Sequence, residues 1–210
     1  LTNNGMLNVQ NGTLKVPTYE GTGAICVYDG TNTTITDFNG SGDIYLYKGS
    51  NLTITNYAGT GIIYLQEGAT LTIENATENP KLVIQTTTDE TDFATISTNG
   101  NLTISSATYN SGDIKTVGNI SLPDTTSGNK IGNLKIKSGE LTIKKLHAEN
   151  LSLDSSGTLN SSESVYVSGK ITNSGTMNVT ITNVGGAFED SGTWSGTSIN
   201  FIGDKQQSFT

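Results

Sequence analysis

Apolar residues recur along this chain at a fixed stride. Three consecutive 19-residue segments carry the pattern: GAICVYDGTNTTITDFNGS (Gly23–Ser41), GDIYLYKGSNLTITNYAGT (Gly42–Thr60) and GIIYLQEGATLTIENATEN (Gly61–Asn79). Ile25, Ile44 and Ile63 fall in register, as do Val27, Leu46 and Leu65, Ile35, Ile54 and Ile73, and the glycines Gly30, Gly49 and Gly68. Each segment reads as two short alternating strands around a glycine turn. A period of about 20 residues built this way is the sequence signature of a β-solenoid.

A looser copy precedes these segments at Gly5–Val16, where Leu14, Val16 and Tyr19 lie 19 positions before Thr33, Ile35 and Phe38. Leu7 and Val9 are displaced by one position, which predicts a one-residue bulge. Pro17 is placed just after a strand. Downstream, Leu82 and Ile84 continue the register of Ile63 and Leu65, and a longer polar turn over 86–93 predicts an extended loop. GNLTIS (Gly100–Ser105) reads as a copy of the second strand and GDI (Gly112–Ile114) as a copy of Gly42–Ile44. The polar run 121–132 is read as a loop or break.

Beyond Gly132 a related repeat takes over, with SGELT at Ser138, SGTLN at Ser156, SGTMN at Ser174 and SGTWS at Ser191. It predicts inward positions for Leu141, Leu159, Met177 and Trp194, with further strands at Leu151/Leu153, Val165/Val167 and Ile199/Phe201. The expected architecture is all-β, a right-handed parallel β-helix (β-solenoid) spanning 1–210. Its coils would each take about 17–20 residues. The segment near 121–132 separates a 19-residue-repeat half from an SGT-repeat half. Roughly eleven coils at about 4.8 Å each predict a rod on the order of 50 Å long. Its end coils leave strand edges open to a cap or to another molecule.

Composition narrows the chemistry. Only 33% of residues are hydrophobic, while Gly, Asn, Ser and Thr dominate the rest, which suits short strands and many turns. The formal net charge is -8 and all 11 basic residues are lysines. Without arginine and with an acidic surface, phosphate-dependent nucleic-acid binding is not expected. Lys130, Lys135, Lys137, Lys144 and Lys145 are read as a solvated face. The one cysteine, Cys26, leaves no internal disulfide or cysteine-cluster metal site. No run of 18 apolar residues is present, so no membrane-spanning helix is expected. The chain begins at Leu1 without a signal peptide and is read as a mature or excised segment.

The 19-residue coils, the GxLTI strands and the closing run GGAFEDSGTWSGTSINFIGDKQQSF (Gly185–Phe209) resemble repeats of filamentous-haemagglutinin-like adhesins and autotransporter passenger domains. That resemblance implies a right-handed parallel β-helix displayed or released outside a bacterial cell. The secretion module and membrane barrel of those families are not found in this sequence.

Candidate chemistry is sparse. Polysaccharide lyases of this shape resemble one another in using an arginine base, which this chain lacks. A hydrolase needs paired carboxylates about 5 to 10 Å apart. Asp89, Glu90 and Asp92, like Glu189 and Asp190, read as solvated turn acids. His147 is the sole histidine and carries no metal site alone, no nucleophile elbow is recognisable, and calcium nonapeptides are missing. No catalytic, cofactor or metal residue is therefore assigned.

Alternation instead places Cys26, Tyr45 and Tyr64 in one outward column, with Tyr28, Tyr47 and Gln66 beside it. Tyr28, Tyr45, Tyr47 and Tyr64 form a candidate ligand-binding strip, or a self-stacking ladder that stabilises the sheet. Thr34, Thr53 and Thr72, loosely extended by Thr36 and Thr55, form an outward threonine column resembling an ice-binding array, which β-propensity also explains. Ten N-x-S/T sequons occur, at Asn11, Asn32, Asn39, Asn51, Asn75, Asn101, Asn119, Asn150, Asn160 and Asn178, against roughly six expected from composition.

The functional expectation is an extracellular stalk or adhesive passenger at a bacterial cell surface. Its partners would be a host glycan or surface protein, with no nucleic acid and no membrane span. A self-assembling fibre or sheath subunit is the principal alternative, and a polysaccharide-active enzyme the third.

Overall fold

The computed structural model describes residues 1–85 and 92–203. The loop expected over 86–93 lies outside the described residues except for Asp92 and Phe93. Among the described residues there is no helix, and the chain winds through about ten turns of a β-solenoid, one fewer than the repeat count suggests.

The early strands are β1 Met6–Val9, β2 Thr13–Tyr19, β3 Ala24–Val27, β4 Asn32–Phe38, β5 Ile44–Leu46, β6 Asn51–Tyr57, β7 Ile62–Gln66, β8 Thr70–Ala76 and β9 Lys81–Gln85. They are followed by β10 Ala94–Thr103, β11 Ser106–Thr108, β12 Ile114–Ser121, β13 Ile131–Thr142 and β14 Lys145–Val167. The last coils contain β15 Ile171–Asn173, β16 Thr176–Val184, β17 Phe188–Asp190, β18 Thr193–Ser195 and β19 Ser198–Phe201. All pairing between these strands is parallel. One sheet stacks β1-β3-β5-β7-β9-β11, and the other runs from β2 through the even-numbered early strands to β12, β13, β14, β15 and β17. Strands β16, β18 and β19 close the later coils.

The predicted columns appear as cross-strand partners. Leu7, Ile25, Ile44, Ile63, Leu82 and Ala107 are stacked in the first sheet. In the second, Leu14, Thr33, Leu52, Leu71, Ile96, Thr116, Ile136 and Leu153 form another column. Leu141, Leu159, Met177 and Trp194 align as expected, and Leu102 and Ile120 extend that column downward. Each inward side chain packs between its counterparts one rung above and below, so stability is a sum of neighbour terms.

Four expectations are corrected. Leu7 and Val9 pair with Ile25 and Val27, one position short of the clean stride, because the turn after β1 is one residue shorter than the turn after β3, not because of a bulge. Pro17 lies within β2 rather than after it; β2 is the edge strand of its sheet, where a missing amide donor is tolerated. GNLTIS is not a second-strand copy: Ile96 takes the place above Leu71, and Leu102 belongs to the Ile120 column. GDI is not a copy of Gly42–Ile44 either, since Ile114 stacks on Ala94 in the second sheet. The coil from Leu71 to Ile96 is longer than the clean repeats, and this insertion shifts which motif falls on which face.

The polar run 121–132 interrupts one face only. Strands β12 and β13 pair across it in the second sheet, while the first sheet ends at β11. There the side-chain amide of Asn129 stands in for a neighbouring strand, accepting from the Tyr109 N–H at 2.8 Å and donating to the Ala107 carbonyl at 3.0 Å. Buried Thr125 performs the same service on the other side, accepting from the His147 N–H.

Candidate functional site

Tyr45 and Tyr64 lie in the first sheet and Tyr28 and Tyr47 directly after its strands β3 and β5, and the 19-residue stride sets each ring above its counterpart. Tyr45 lies beside Tyr64 in cross-strand register, with ring centroids 4.6 Å apart and planes inclined by 5°. Tyr28 and Tyr47 are likewise 4.6 Å apart at 7°. That separation is the strand spacing itself, so the rings stack face to face because their backbones are already paired. All four are half-buried. Stacking consumes the ring faces between rungs, and the strip presents ring edges and hydroxyls to solvent.

Cys26 is in the same outward register as Tyr45 yet is only 3% exposed, and burial pushes its thiol up. The Tyr45 hydroxyl is raised first by burial and then by the Asp43 carboxylate. Tyr47 is raised first by burial and then by the neighbouring Cys26 and Tyr28. Both phenols are therefore neutral hydrogen-bonding groups at neutral pH.

At the edge of this strip Tyr28, Asp29, Tyr47, Lys48, Gln66 and Asp92 line a shallow groove of about 480 Å³. Lys48 pairs with Asp92 at 2.8 Å, and its backbone N–H donates to Gln66 Oε1 at 3.0 Å. Turn glycines Gly30, Gly49 and Gly68 hold φ of 70°, 77° and 82°, the left-handed conformation that glycine adopts without strain. The turn so formed brings Asp29 over Gly49: a Cβ there would lie 1.9 Å from Asp29 Oδ1.

Other features take structural places. Lys130, Lys135 and Lys144, read as part of a solvated face, each pair with an acid one coil further on, Glu149 at 3.5 Å, Asp154 at 3.4 Å and Glu163 at 2.9 Å. Thr34, Thr53 and Thr72 align as a column that Ser97 continues. Six sequon asparagines lie in side-chain ladders; Asn160 accepts from Asn178 at 2.9 Å and Asn133 from Asn150 at 2.8 Å. Asn75, Asn101 and Asn119 bond across rungs in the same way. His147 stacks on Tyr166 at 4.7 Å, and burial, then Lys145, lowers its pKa. Among the described residues no group of three or more His, Cys, Asp and Glu is placed to hold a metal ion, and no helix is long and apolar enough to cross a membrane.

A second aromatic ladder, not assigned from sequence, runs inside the coil. Tyr19, Phe38 and Tyr57 are at most 1% exposed and stack at 5.1 and 5.5 Å. Its signal is an aromatic followed two positions later by glycine, repeated at the stride of the clean coils. Gly59 makes room for it, since a Cβ there would lie 2.3 Å from the Phe38 ring.

In comparisons with protein-family models, curated proteins and solved structures, none matches this chain.

Proposed function

We propose that this protein is a non-catalytic, surface-displayed β-solenoid of a bacterial cell, a stalk or passenger segment that attaches to host glycans or surface proteins. The observation that carries the reading is the stacked strip formed by Tyr45/Tyr64 on the first parallel sheet and Tyr28/Tyr47 at the ends of its strands. Such a strip offers edges and hydroxyls at fixed spacing, with little ordering cost on binding because packing already fixes the rings. The adhesin-like repeats and the rod geometry agree with display away from a surface. Replacing Tyr45, Tyr47 and Tyr64 with serine should abolish adhesion of the immobilised protein to host cells while the far-UV spectrum is kept. Unchanged adhesion by the folded variant rejects the strip as the contact.

A second reading is association of identical subunits coil on coil. It is favoured by apolar side chains exposed on the end coils, Leu1 at 56% and Met6 at 65% on one, Phe201 at 42% and Ile202 at 53% on the other. Strand edges there invite pairing. Electron microscopy of the purified protein separates filaments from single rods.

A further inference from the structure

We propose that the groove beside the tyrosine strip is a binding subsite for an uncharged glycan; this rests on the adhesive reading and names the ligand class. The ends of the groove are built from groups that hydrogen-bond hydroxyls. Asp29 is exposed and its carboxylate, held over Gly49, accepts no hydrogen bond from the described residues. It is free to accept from two adjacent hydroxyls of a sugar. Gln66 uses Oε1 to accept from the Lys48 N–H, and its Nε2 amino group has no acceptor among the described residues. Tyr28 and Tyr47 form the wall, each half-buried, with one face of each taken by the other ring.

Charge selects among glycans. The lining holds Asp29 and Asp92 against Lys48, whose ammonium is already paired with Asp92 at 2.8 Å. The described lining of the groove is thus net negative by one charge in a chain of formal charge -8. A sialylated or sulfated ligand would be repelled, and so would a nucleic acid. Neutral hydroxyls satisfy Asp29, Gln66 and the phenols together.

The test is a printed array of defined oligosaccharides, comprising neutral hexose- and N-acetylhexosamine-containing members beside sialylated and sulfated ones. Neutral members should bind and the anionic ones should not. Asp29→Asn and Gln66→Glu keep shape, and the glutamate keeps the oxygen that accepts from Lys48. Each should lower the affinity for the bound neutral oligosaccharide at least tenfold with an unchanged melting temperature. In NMR titrations with that oligosaccharide, the Gln66 side-chain amide should shift. Preference for anionic members, or full affinity in both variants, overturns the proposal. A blank array together with tyrosine-dependent adhesion to cells overturns the glycan groove and leaves the adhesive reading standing, whereas loss of array binding in the groove variants and in Tyr47→Ser, but not in Tyr45→Ser or Tyr64→Ser, supports the groove and rejects the rest of the strip.

Discussion

The second-sheet column Leu14–Leu153 contains two threonines among aliphatic residues, and they make a sharp test of the packing. Thr33 lies between Leu14 and Leu52, and Thr116 between Ile96 and Ile136. Both are buried, at 2% and 1% exposure, and the hydroxyl of each lacks a hydrogen-bond partner. An unpaired buried hydroxyl costs about 1–3 kcal/mol, and valine replaces it with a methyl of the same shape. Thr33→Val and Thr116→Val should therefore each stabilise by roughly 1–2 kcal/mol. They are four rungs apart, roughly 19 Å at the strand spacing, so the effects should add. A gain of about 2 kcal/mol corresponds to a rise of about 4–8 °C in melting temperature for a chain of this size. Thr125→Val has the opposite expected sign, because buried Thr125 accepts from the His147 amide and donates to the Lys145 carbonyl at 3.3 Å. It should cost roughly 1–3 kcal/mol by stranding the His147 N–H, while the Lys145 carbonyl keeps the Thr125 backbone N–H at 3.0 Å. Guanidinium unfolding followed by circular dichroism, with the denaturant slope checked for constancy, measures all three. Destabilisation by either column valine, or a neutral Thr125→Val, would refute the accounting of hydroxyl partners.

Three further outcomes follow from the geometry. Gly59→Ala, whose Cβ would meet the Phe38 ring at 2.3 Å, should destabilise by roughly 1–3 kcal/mol, while Gly128→Ala, with nothing within 4 Å, should stay within about 0.5 kcal/mol; thermal denaturation distinguishes them. Burial and Lys145 lower the His147 pKa below 6.5. As pH falls below 6.5 the unfolded chain takes this proton first, so stability is lost through that window. His147→Phe should flatten this dependence, and an imidazole NMR midpoint at or above 6.5 contradicts it. Tyr57 is pushed up to about 12, first by burial and then by Glu78. The unfolded phenol ionises from 10, so stability should fall as pH rises from there toward 12, and Tyr57→Phe, which matches Phe38 one rung below, should remove that share of the loss in alkaline denaturation.

The repeat was legible because a solenoid writes its register into one dimension. Ile25, Ile44 and Ile63 had to stack once each coil took the same stride, and the outward tyrosines followed from alternation alone. The inner ladder was written just as plainly in the stride of Tyr19, Phe38 and Tyr57, but alternation does not say that these large rings turn inward, where Gly40 and Gly59 vacate the space. The faces occupied by GNLTIS and GDI could not be read, because the longer coil between Leu71 and Ile96 breaks the count and only pairing restores it. The groove was invisible for a related reason: Asp29, Gln66 and Asp92 come from different coils, and Asp92 follows the irregular stretch.

The amino-acid sequence by itself determined the all-β coil, its stride and which aliphatics and tyrosines share a column, since those depend on spacing within one strand and one turn. Only the tertiary structure decided which buried threonines are left unpaired, that asparagines form ladders, that Asn129 and Thr125 end a sheet, and that the tyrosine faces close on one another. Each of these is a relation between neighbouring rungs, set by strand spacing and by the room a facing residue leaves, and such relations exist only once the coils are stacked.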